Sequence, residues 1–135
     1  MTPSESANSA AVAAYLAALE QFVQGDALAR FFTPTAVQVE LPNRLNPQGG
    51  TSDLATLLRR AEQARSLLNS QDYAVRSVLA HGDQVAVEAE WSGELAVSAG
   101  ALVAGTRMKA YFAMFFVFEN GLIASQRNYD CFEPW

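Results

Sequence analysis

The sequence predicts an α+β domain in which N-terminal helices cover one face of a mostly antiparallel sheet. Two observations carry this. Apolar residues recur at helical spacing through the first half of the chain, then give way to long extended runs after about residue 70. Two turn signals, His81-Gly82-Asp83 and Asn120-Gly121, each separate a pair of those runs. Asn-Gly is a strong hairpin cue because both residues tolerate positive φ. Helices first and strands afterwards favour a segregated α+β arrangement over an alternating parallel one.

Residues 1–8 are polar and read as a loose arm, which leaves 9–135 as a single domain without internal repeats. Val12, Tyr15, Leu16, Leu19, Phe22 and Val23 fall on one face of a first helix, with Ser9 as its expected cap and Gly25 as its stop. A short helix follows over "DALARFF", capped by Asp26. "TAVQVEL", residues 35–41, alternates as a strand and ends at Pro42. "PNRLNPQGG" is loop by composition. Leu54, Leu57, Leu58, Ala61 and Leu68 mark a long amphipathic helix from about Ser52 to Asn69. Four strands then form a meander, its two hairpins joined by "SAGALVAG".

Composition narrows the function. Nine Lys and Arg against fourteen Asp and Glu leave a net charge of −5, the wrong sign for a nucleic-acid binder. Arg59, Arg60 and Arg65 beside Glu62 read as a solvated helix face. The apolar run Ala110 to Phe118 is too short to span a bilayer, so no membrane partner is expected. The single cysteine, Cys131, fits a reducing cytoplasm. One histidine and one cysteine give no zinc pattern. No nucleophile elbow, phosphate-cradling loop or dinucleotide fingerprint occurs, so any chemistry is expected to be cofactor-free proton transfer.

The final strand, "SQRNYDCFEPW", carries Gln126, Asn128 and Asp130 on one face, where a packed core would call for Val or Ile. Alternation alone leaves two readings: this polar row lines a pocket, or it faces outward and Arg127, Tyr129 and Cys131 point in. Three segments, "AAYLAAL…GDALARFFTPTAVQVELP", "VAVEAEWSGEL" and "VFENGLIASQRNYD", resemble the SnoaL-like branch of the nuclear-transport-factor-type superfamily, to which ketosteroid isomerase and limonene epoxide hydrolase also belong. The resemblance runs from about Ser9 to Trp135. It implies a cone-shaped, curved sheet around a pocket, and with it the inward reading of the polar row.

The resemblance also nominates site residues. Ketosteroid isomerase-like enzymes carry a proton-shuttling acid near the place of Glu40, and burial in an apolar pocket raises such an acid toward working pH. Alternation, however, gives the inward face to Val37, Val39 and Leu41 and leaves Glu40 in solvent. Tyr15 stands where related isomerases and cyclases place a donor to an enolate; an ordinary core tyrosine is the other reading. Limonene epoxide hydrolase-like proteins show Trp-Arg-Asp-Tyr in the last strand, where this chain has Gln126-Arg127-Asn128-Tyr129. Asn128 cannot take a proton from water, which speaks against epoxide hydrolysis; Asp130 is the substitute acid, and Asn128 an orienting donor. Glu88 and Glu90 share a face that is either pocket or wet surface. Arg44, in the loop expected at the pocket mouth, is a candidate for an anionic group, and Phe112 and Phe116 are candidates for the pocket floor. The opposite face of their strand, with Tyr111, Phe115 and Val117, needs a cover, for which a second copy of the chain is expected. The expected function is a cyclase- or isomerase-type protein that binds a small apolar carbonyl compound. The alternatives are a non-catalytic binding module or a dimeric interaction domain of the same fold.

Overall fold

A computed structural model describes residues 1–135. Helix α1 spans Pro3–Glu20, so the segment expected to be a loose arm is helical. The cause is local chemistry. Thr2, not Ser9, caps the helix: its hydroxyl accepts from Glu5 N, and the Glu5 carboxylate accepts from Thr2 N, while Pro3 supplies the first-turn φ. Glu5 also accepts from Gly82 N, which ties the helix start to a hairpin turn on the far side of the sequence.

Helix α2 is a single turn, Asp26–Ala29, and β1 follows at Phe32–Glu40. A short strand β2, Gly50–Asp53, pairs antiparallel with β1 and was not evident from the sequence. Asp53 caps α3, Leu54–Leu67, by accepting from Thr56 N. Four long strands complete the chain: β3 Leu68–His81, β4 Gln84–Leu95, β5 Arg107–Glu119 and β6 Leu122–Phe132. Asn120 and Gly121 both take positive φ, as the β5–β6 hairpin requires.

The strand order is β2-β1-β6-β5-β4-β3. All pairings are antiparallel except β1 with β6, which run parallel. At about 4.8 Å per strand spacing, six strands span roughly 24 Å. Helix α3 leaves β2 at one edge and runs directly into β3 at the other; its 14 residues measure about 21 Å at the helical rise. It therefore straps the sheet from edge to edge, while α1 packs over β3 and β4. Register shifts in β1, β3 and between β5 and β6 supply the bends of the strongly curved, cone-shaped sheet. No helix is long and apolar enough to cross a membrane.

The inner face is set by β4 and β5. Val85, Val87, Ala89, Trp91 and Leu95 alternate inward from β4, and Met108, Ala110, Phe112, Met114, Phe116 and Phe118 from β5. Register carries the same face into β6, where Phe116, Met114 and Phe112 stand opposite Gln126, Asn128 and Asp130. The polar row thus faces inward, and Arg127, Tyr129 and Cys131 are exposed. From β6 it passes to β1, where Gln38 pairs with Gln126 and Glu40 with Asn128. This reverses the expectation for β1: Ala36, Gln38 and Glu40 face in, and Val37, 40% exposed, faces out with Val39.

Gly49 closes the loop between β1 and β2 at φ +65°, where an added Cβ would lie 2.5 Å from the Glu40 carbonyl oxygen. Both the left-handed backbone and the backbone clash oppose any side chain there. Gly49→Ala is expected to cost about 2 kcal/mol or more of stability, read as a lowered urea midpoint.

Candidate functional site

Between the inner sheet face and α3 lies a cavity of about 600 Å³, a size suited to a small organic ligand. Fourteen of its twenty lining residues are apolar, so the few polar groups in it stand out. The walls come from β4 and β5 (Trp91, Phe112), from β6 (Asp130, Phe132) and from α3 (Arg60). The segment between β4 and β5, read from sequence only as a connection, closes one side with Val97, Ala99 and Leu102.

Trp91 is held flat by two devices. Gly93, next on the same face, lies under the indole: a Cβ there would come 2.6 Å from Trp91 Cζ2. Trp91 Nε1 donates to Gln71 Oε1 at 3.0 Å, and Gln71 Nε2 donates to the Leu19 carbonyl at 2.9 Å. The wall is thereby anchored to the end of α1.

Two carboxyl groups line the cavity, and their surroundings differ. Glu40 accepts from Asn43 Nδ2 at 2.7 Å and lies 4.0 Å from Arg60 Nη1. Asp130 has no such company: its Oδ1 is buried without a hydrogen-bond partner. Loss of hydration, and secondarily the charge of Glu40, raises its carboxyl from the ordinary 3.8 to about 7. Nowhere do three His, Cys, Asp or Glu side chains gather as a metal-binding group.

A smaller chamber of about 190 Å³ adjoins the cavity and shares Arg60 and Ala64 with it. Tyr15, Gln38 and Tyr73 line it. Tyr15 is buried against Phe31, Phe32 and Phe116, and burial raises its hydroxyl pKa well above the usual tyrosine range. Tyr73 shifts the same way, through burial and then the nearby Tyr15, Asp130 and Glu20.

The structure therefore brings Glu40, Asp130 and Phe112 together and places Tyr15 next door. The other nominated residues lie elsewhere. Asn128 faces inward but lines neither cavity, and its Oδ1 accepts from Gln126 Nε2 at 2.7 Å. Phe116 is fully buried core beneath Tyr15. Glu90 belongs to the outer face, where it pairs with Arg76 and with Lys109 at 2.9 Å; strict alternation from Trp91 puts it there. Glu88 is exposed on that same face. Arg44 does not enter the cavity: its guanidinium stacks 4.6 Å over the Trp135 ring and donates to the Trp135 carbonyl. Trp135 itself lines the cavity, so Arg44 acts on it at one remove. Asn43, Arg60, Trp91 and Trp135 were missed. For Arg60 the signal existed, since it follows Leu57 by three positions on the helix that covers the sheet.

The raised carboxyl has a stability consequence. Between about pH 4 and 7, folded Asp130 retains a proton that the unfolded chain releases. Its contribution is complete below the unfolded value and is lost as pH rises through about 7. Asn mimics the protonated form, so Asp130→Asn is expected to match the parent near pH 4 and exceed it near pH 8. The gain, screened by solvent reaching this half-buried group, is on the order of 2 kcal/mol, read from urea midpoints at the two pH values.

The SnoaL-like domain family model matches residues 12–126. Comparison with curated protein sequences gave no match. Solved structures similar to the chain include AclR, a candidate hydroxylase from Streptomyces galilaeus, with a TM-score of 0.76 at 14% identity over 93% of this chain and 76% of that one. IdmH, a candidate polyketide cyclase from Streptomyces antibioticus, gives 0.74 at 18% identity over 91% of each chain. A candidate SnoaL-like polyketide cyclase from a Jannaschia species gives 0.75 at 16% identity, over 96% of this chain and 89% of that one. At these identities the likeness is one of fold.

Proposed function

The chain belongs to the SnoaL-like domain family, and on that premise we propose that its cavity binds a small, largely apolar carbonyl compound and moves a proton on it, with Asp130 as the base. The observation that carries this is the buried, unpartnered Asp130 oxygen in an otherwise apolar cavity. A carboxyl poised near neutral pH is both ionised often enough to accept a proton and basic enough to remove one from carbon.

In this reading ionised Asp130 takes a proton from the carbon beside the ligand carbonyl. The C–H electron pair becomes the enolate, and the negative charge moves to the carbonyl oxygen. Arg60, about half exposed and only loosely engaged by Glu40, offers N–H donors to that oxygen. Return of the proton from Asp130 to a different carbon gives an isomer. Attack of the enolate carbon on a second carbonyl of the same molecule forms a ring C–C bond; that carbonyl's π pair moves to its oxygen, which takes the proton back from Asp130. Glu40 keeps Asp130 basic by its charge, and Tyr15 bounds the chamber into which a longer ligand extends.

Deuterium exchange beside the carbonyl of β-tetralone, followed by NMR, tests the reading. Exchange is expected to rise with pH and level off above about 7. Asp130→Asn should lower it by about 10²–10⁴-fold, and Glu40→Gln should move the inflection to lower pH by removing the like charge. Equal exchange in the parent and in Asp130→Asn sinks the proposal. A ligand-dependent rise in melting temperature without exchange identifies a binding module instead.

The outer sheet face supports a homodimer. Tyr111, Phe115 and Tyr129 are 43%, 37% and 43% exposed there, and Val37 lies on the same face. Arg127 stacks over Phe115, and Glu88 and Glu90 lie on neighbouring β4, so charges of both signs frame the apolar surface for a second copy. Phe115→Glu is expected to halve the mass measured by light scattering; an unchanged mass refutes this interface. The unpaired Cys131 supports a reducing, cytoplasmic setting.

A further inference from the structure

The charges of the cavity do not balance. Arg60 and Asn43 both answer Glu40, and nothing answers Asp130. Glu40 from β1, Arg60 from α3 and Tyr73 from β3 are the titratable or charged groups around Asp130; β4 and β5 contribute only the uncharged Trp91, Leu95, Met108 and Phe112. The cavity therefore holds one more carboxyl group than cation.

What surrounds the unanswered carboxyl is aromatic. Phe112 stands opposite Asp130 across β5 and β6, and Phe132 is the next inward residue along β6. Trp91 stacks on Phe112 at 5.7 Å, Phe132 lies 6.0 Å from Trp91 and 6.2 Å from Phe112, and Trp135 lies 5.9 Å from Phe132. These four rings form one continuous wall of the cavity. Aromatic rings attract cations through their electron-rich faces, most strongly where water is excluded. A hydrated metal ion finds too few oxygen ligands here, and an anion would meet two carboxyl groups. An ammonium group wrapped in apolar substituents satisfies both the charge and the walls.

We propose that this cavity is a binding site for compact organic ammonium ions, with Asp130 as counter-ion and the ring series Trp91, Phe112, Phe132 and Trp135 as the apolar seat. Occupancy needs only that Asp130 be ionised, so the site operates whether or not the same carboxylate acts as a base on carbonyl compounds. An amine seated there displaces the proton from Asp130, and it competes with any carbonyl ligand.

Choline and its uncharged analogue, in which carbon replaces the nitrogen, separate charge from shape. Both are titrated into the full chain and followed by NMR shifts near pH 8 and near pH 5. Choline is expected to bind about tenfold more tightly than the analogue near pH 8. The advantage should shrink several-fold near pH 5, where Asp130 holds its proton. Asp130→Asn should remove most of the advantage, leaving the part the rings supply, and keep the analogue's affinity as it was. Trp135→Leu, at the half-exposed end of the ring series, should weaken choline more than the analogue and decides the matter if Asp130→Asn does not fold. Equal affinities near pH 8, no binding of either compound, or a choline advantage that Asp130→Asn, or Trp135→Leu in its place, leaves undiminished overturns the proposal.

Discussion

Parallel pairing of β1 with β6 is the constraint on which the rest of the molecule depends. It joins the first strand to the last, and it aligns Glu40 with Asn128 and Gln38 with Gln126. Side chains paired in register share a face, so one decision about β6 is made for both strands. That decision is taken on β5, whose Phe112, Met114, Phe116 and Phe118 are too large and apolar to be turned outward together. The aromatic strand thus forces a polar row under the helices. At the inner end the row is masked: Gln126 is 2% exposed and donates to Asn128. Toward the strand's other end the row meets open cavity at Asp130.

That gradient explains how one row does two jobs. Gln126 and Asn128 satisfy one another and contribute structure, though Gln126 Oε1 remains without a partner. Asp130 has no neighbour of opposite charge, and its nearest titratable companion on β1 is another acid. An unpaired carboxyl in an apolar setting opposes folding at neutral pH. A sequence selected for stability alone would place an amide or an apolar residue there. Its presence beside a ready-made cavity marks Asp130 more firmly than position in any motif does.

Much of this was legible in the sequence, and the part that was not has a common cause. Order and type of the long elements followed from periodicity, because α1, α3 and β3 to β6 each repeat their apolar pattern over many residues. The Asn120-Gly121 turn was explicit for the same local reason. The inward setting of Gln126, Asn128 and Asp130 needed the family resemblance as well, since alternation alone cannot say which face is which. β1 failed on that ambiguity: its valines are apolar, yet Val37 and Val39 belong to the second apolar surface, on the outside of the sheet. β2 was too short to carry a period. The Thr2–Glu5 capping box was readable, and was overlooked because the segment around it is polar. Glu90 fell to the same ambiguity: it shares with Glu88 the face opposite Trp91, and that face is the outer one, where Arg76 and Lys109 pair with it.

The cavity itself was the least legible feature, because it is a property of gaps between elements. Arg60 comes from α3, Asn43 and Leu45 from a loop, Ala99 and Leu102 from the β4–β5 connection and Trp135 from the residues after β6. No periodicity links these positions. What links them is the strap-like course of α3, which must enter at β2 and leave at β3. A helix laid edge to edge across a curved sheet cannot fill the concavity beneath it with its own side chains. The remaining space is bounded by whatever lies at the two mouths. At one mouth the smaller chamber is closed by Tyr15 and Leu28 from the first helices. At the other, Arg44 grips Trp135 and holds it over Phe132. Local contacts of this kind turn a gap left by topology into a walled site, and the residues that make them carry no signature until the strands have brought them within reach.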